Sequence, residues 1–175
     1  MRETIIAVAG GVIAVLLQVI VAPNIAIFSA MPNFVLAYTG IVAMLCRENK
    51  IIVLAFALGL AYDLLGSNPV GLMAGLLVLV AFIAGRAYDM FGNDTVFVPL
   101  AVSMVCSLLV ELVYALALAA LGLDMPLGDA VLLRALPCAF YDAAMGLIVF
   151  PLLAMFLKPS ARAQKGSSQT TVRLR

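Results

Sequence analysis

Three carboxylates stand inside or at the edge of long apolar stretches. Asp63 closes the run in ALGLAYDLLGSNPVG (residues 57–71), Glu111 interrupts a run of more than twenty apolar residues, and Asp142 lies early in the last run, eight residues after Arg134. A charge in the hydrocarbon of a bilayer costs about 2.5–3.5 kcal/mol on insertion scales, so each acid asks for a partner, a wet cavity or a task.

The chemistry open to such groups is narrow. Tyr-Asp occurs twice, as Tyr62-Asp63 and Tyr141-Asp142, and two embedded aspartates could share a proton and activate water. The GxGD sequence of intramembrane aspartyl proteases is missing, however, and nothing in the spacing holds the two carboxylates together. The 175 residues contain no His and no Trp, which excludes Ser/His, zinc-protease and histidine-relay mechanisms. No Walker A loop and no dinucleotide fingerprint is present. Cys46, Cys106 and Cys138 lack CxxC spacing and read as small buried hydrophobes. The chain is expected to be no enzyme, to need no metal or cofactor and to bind no nucleic acid.

The elements that must position these acids follow from composition. With 66% hydrophobic and 11% charged residues, the chain lies far from soluble domains, in which about 25% of residues are charged. Breaks at Gly, Pro, Asn and charge leave six apolar segments, at about 4–22, 33–46, 50–65, 70–88, 95–121 and 133–157. Continuous hydrophobicity without period-two alternation points to helices rather than a barrel. The first run, Ile5 to Ala22, exceeds the h-region of a signal peptide and reads as a membrane span. Segments two and three are separated only by Arg47-Glu48-Asn49-Lys50 and read as a tight hairpin.

Orientation follows from the bases. Six spans with an inner N-terminus put Arg2, Arg47, Lys50, Arg86, Lys158, Arg162, Lys165, Arg173 and Arg175 on one side and only Arg134 on the other. Both termini are then cytoplasmic, residues 1–158 form the membrane domain, and 159–175 form a basic tail of disordered composition. The tail either binds anionic lipid or only fixes topology. The same topology places Asp63, Glu111, Asp142 and Arg134 in the outer half, as a polar cluster for partner binding or for packing.

Other motifs have structural readings. Ala-Tyr-Asp-x-x-Gly at 61–66 and again at 87–92 falls at opposite ends of the membrane, so the two copies read as helix terminations, with Gly66 and Gly92 suited to left-handed backbone and Asp94 as a cap. Glu111, with Ser107 and Tyr114, makes a polar stripe on one helix face. Gly71-x-x-x-Gly75 matches the close-packing motif of membrane helices.

Residues 54–76, LAFALGLAYDLLGSNPVGLMAGL, resemble the rod-shape-determining MreD family. Gly59, Leu60, Asp63, Leu64, Leu65, Pro69 and Gly71 match its Gly-Leu-x-x-Asp-Leu-Leu sequence and the small/Pro corner after it, with Gly66 inside the corner. Leu17-Gln18, Pro23, Pro32-Asn33 and Pro151 are consistent with it. Many members of the family carry Asn where Asp142 stands, a departure that puts in doubt any shared role for this position. The resemblance implies an all-α, compact six-helix bundle similar to the substrate-binding subunits of energy-coupling-factor vitamin transporters. It also implies a non-enzymatic scaffold of the cell-elongation and peptidoglycan machinery in the bacterial inner membrane. Its implied partners are MreC, the actin-like MreB, RodA with its transpeptidase, and membrane lipid. A vitamin-transporter binding subunit is the alternative reading.

Overall fold

The computed structural model describes residues 2–26, 31–46, 49–66, 69–91, 97–120 and 136–157. Arg134, Gly92, Asp94 and the basic tail lie outside the described residues. Within them every regular element is helical: α1 (Arg2–Ile20), a 3-10 turn (Ala22–Asn24), α2 (Phe34–Leu45), α3 (Asn49–Leu65), α4 (Leu72–Phe91), α5 (Phe97–Ala120) and α6 (Leu136–Leu157).

The centre of the bundle is its shortest helix. α2 has 12 residues, about 18 Å at 1.5 Å per residue, against a hydrocarbon core of about 30 Å. Every residue from Phe34 to Met44 is buried, and α2 packs against all five other helices, most extensively against α4 and α6. A helix that is apolar all round needs such surroundings on every side. The second segment therefore serves as an interior post more than as half of a hairpin with α3, whose main neighbour is α4.

The outer helices turn apolar residues outward. Ile5, Val12 and Ile20 on α1, Val53 and Phe56 on α3, Phe82 on α4, Val105 on α5 and Ile148 and Met155 on α6 are all exposed. α1, α4, α5 and α6 are long and apolar enough to cross a membrane. Apolar surface this extensive has lipid as its natural solvent.

Small residues let α1 approach the post. Tyr38 of α2 donates its hydroxyl to the Ala7 carbonyl oxygen at 2.6 Å, and a Cβ on Gly10 would fall 2.5 Å from that hydroxyl. A Cβ on Gly85 of α4 would similarly crowd the Ala43 carbonyl oxygen of α2, at 3.2 Å. Close packing does not extend to the Gly71-x-x-x-Gly75 motif. A Cβ on either glycine meets nothing within 4 Å, because Gly71 belongs to a turn, with φ +97°, and Gly75 points to open space. Cys106 and Cys138 are buried, Cys46 is half-buried, and all three are free thiols.

Candidate functional site

At the end of the bundle where α1 and α3 finish, α2 and α4 begin, and each beginning is held by a buried acid from another helix. The first few N–H groups of a helix have no partner within it and carry a partial positive charge. In an apolar interior they require an acceptor supplied from outside the helix.

Asp63 supplies it to α4. Its carboxylate accepts from the Gly71 N–H at 2.8 Å, the Met73 N–H at 3.1 Å and the Ala74 N–H at 3.3 Å, and Leu72 N–H donates to the Pro69 carbonyl oxygen at 3.3 Å. The side chain is 1% exposed. A hydrogen bond to a charged group contributes roughly 1.5–3 kcal/mol, so three of them are enough to offset the roughly 2.5–3.5 kcal/mol that a charge costs even at the centre of a membrane helix.

Gly59, Pro69 and Gly71 of the matched corner take part in this cap with Asp63, while Leu64 and Leu65 are exposed. Gly59 lies one turn before Asp63, and a Cβ there would fall 2.5 Å from the Ala74 Cα and 2.8 Å from the Met73 carbonyl oxygen. Only glycine lets α3 lie against the start of α4, within carboxylate reach of its amides. α3 ends with the Gly66 N–H donating to the Tyr62 carbonyl oxygen. The left-handed conformation expected at Gly66 occurs at Gly71 instead, because the chain must reverse immediately before α4 rather than after α3.

Asp142 plays the corresponding part for α2. One carboxylate oxygen accepts from the Asn33 N–H at 2.7 Å, and the other accepts a short hydrogen bond from the Ser107 hydroxyl of α5. Gln18 of α1 completes the cap, since its side-chain oxygen accepts from the Phe34 N–H at 2.8 Å and its amide donates to the Pro32 carbonyl oxygen at 3.3 Å. The Asn33 side chain accepts from the Leu36 N–H at 3.0 Å as the N-cap. Four helices, α1, α2, α5 and α6, meet in this network.

Glu111 stands one turn beyond Ser107 on α5 and is buried. The expected cluster thus divides. Asp142 belongs to one centre and Asp63 to another with α4, Glu111 is buried one turn from the Ser107 that bonds Asp142, and Arg134 falls outside the described residues. Two aspartates bound to the starts of two different helices hold the fold, an arrangement unlike a proton-sharing pair. Gln18 and Asn33 entered the sequence reading only through resemblance. An Asn immediately before an apolar run is the signal that marks an N-cap.

Between the two caps lies a groove of about 310 Å³, bordered by Val15, Gln18 and Val19 of α1, Val35 of α2, and Tyr62 and Leu65 of α3. Its lining is mainly aliphatic, with Gln18 and Tyr62 as the polar side chains among the described residues.

An all-helical bundle with an apolar exterior, four helices able to cross a bilayer and buried acids used as helix caps defines a multi-pass membrane protein. The family model for rod shape-determining protein MreD matches residues 2–159, and the chain belongs to that family of bacterial membrane proteins. No curated protein and no solved structure matches the chain.

Proposed function

We propose that the chain is a non-enzymatic scaffold of the cell-elongation machinery and that the groove between the two capped helix starts receives the membrane-spanning helix of an MreC-like partner. In this reading six helices cross the membrane, both termini are cytoplasmic, and the capped end faces the periplasm. That orientation brings the groove to the side from which an MreC-like coiled coil would enter. Links to MreB on the cytoplasmic side, and to RodA and its transpeptidase within the membrane, complete the assembly.

The observation that carries the reading is the position of the groove. Its walls, α1 and α3, end on either side of an α2 start that Gln18 and Asp142 hold from two directions, so the rim is set before a partner arrives. A pre-formed surface loses less side-chain and loop freedom on binding. Among the described residues Tyr62 is the one aromatic ring in a mainly aliphatic lining, which suits an apolar helix better than a vitamin-like molecule and its need for stacking surfaces.

Co-purification from native membranes tests the proposal. The unsubstituted chain should bring down the MreC-like protein, and Leu65→Arg, which puts a charge into the groove, should abolish this while the protein still folds. Equal recovery with both chains would remove the groove from the account.

A further inference from the structure

At the opposite end of the bundle, where α2 and α4 finish and α3 begins, a second hollow of about 330 Å³ changes character with depth. Ile52 and Phe82, both partly open to the surroundings, line its apolar side, while Asn49, Arg86 and Asp89 form its polar rim. Arg86 is exposed, and its guanidinium carbon lies 5.4 Å from the centre of the Phe82 ring, which holds the cation above the apolar wall. It stands five residues before the end of α4 at Phe91, about 7–8 Å along the axis. That distance is within the reach of an arginine that buries its stem and sends its head to the membrane boundary.

Among the described residues, the hollow is lined by one base, Arg86, and one acid, Asp89, with the exposed Lys50 next to Asn49 in sequence. The Arg86 guanidinium faces the Phe82 ring. The first amides of α3, beginning at Asn49, add partial positive charge at the same level.

We infer that this hollow binds the headgroup phosphate of an anionic phospholipid, with the Arg86 guanidinium on the phosphate and the glycerol and upper acyl chain along Phe82 and Ile52. A cation over an apolar wall at the depth of the boundary matches the order of groups in a phospholipid. A soluble anion would use only the rim. The inference is independent of the groove at the other end.

The test is native mass spectrometry of the full chain released from vesicles of mixed phosphatidylglycerol and phosphatidylcholine. Phosphatidylglycerol should be retained in preference to phosphatidylcholine. Arg86→Gln should lower its retention about fivefold, the factor that corresponds to roughly 1 kcal/mol per surface charge, and Arg86→Lys should restore most of it. Equal retention of the two lipids by the unsubstituted chain overturns the inference without reliance on any variant. So does unchanged retention in a folded Arg86→Gln chain. Displacement of the lipid by millimolar inorganic phosphate would overturn it as well, by assigning the hollow to a free anion.

Discussion

Gly59 and Ala74 approach so closely that a Cβ on Gly59 would lie 2.5 Å from the Ala74 Cα, and this contact brings Asp63 to the amides of α4. The glycine and the aspartate therefore act together: one removes the obstacle, and the other uses the space. Because the obstructing atoms are backbone, no rotamer change can relieve a side chain at position 59.

Gly59→Ala is expected to destabilise the protein by about 1–3 kcal/mol, the usual cost of overpacking a tight interface. Gly75→Ala is expected to be neutral or to stabilise by up to about 1 kcal/mol, since the new methyl meets nothing and Ala favours the helix. Thermal unfolding in detergent of the two variants side by side checks the contrast.

Asp63→Asn keeps one acceptor oxygen and loses the charge, so a loss of about 1–3 kcal/mol is expected, with larger damage from Asp63→Ala, which strands three N–H groups. Glu111→Gln should cost less, because Asp63 sits in the family-like corner and Glu111 does not. Recovery of the MreC-like partner should follow the same order, and equal, negligible effects would count against the corner.

Asp142→Asn is expected to be tolerated. An asparagine can accept from the Asn33 N–H with its oxygen and donate to the Ser107 hydroxyl with its amide, so both bonds survive with the Ser107 hydroxyl reversed. Asp142→Ala removes both bonds and should destabilise by about 2–5 kcal/mol, measured by the same unfolding assay.

Tyr38→Phe removes the bond that ties α2 to the Ala7 carbonyl oxygen and should cost about 0.5–1.5 kcal/mol. Gly10→Ala should cost more, because its methyl would collide with the Tyr38 ring. If Gly10→Ala costs as much in the Tyr38→Phe background as in the unsubstituted chain, the two positions are not coupled and the contact is contradicted.

The sequence made the acids of this fold legible and left their partners hidden. Asp63 and Asp142 stood out because charge in apolar runs is costly. Yet Asp142 accepts from Asn33, 109 positions away, and no local spacing reports a contact of that range. The corner at 59–71 was recognisable as a unit, but Gly71 and Gly75 at a four-residue interval looked like helix packing when one is a turn residue. Small-residue spacing alone does not distinguish the two. The second segment was visible as short and apolar. That it forms the core follows only from its neighbours, since a uniformly apolar helix carries no stripe to show which side faces lipid.

The measurement that bears most directly on the central claim is site-specific photo-crosslinking in native membranes, with the probe placed at Val19 or Leu65 on the groove and at Phe97 on α5 as reference. The account expects the MreC-like partner to be captured from Val19 and Leu65 and not from Phe97. Capture from Phe97 alone, or equally from all three positions, would contradict a partner seated between the two capped helix starts.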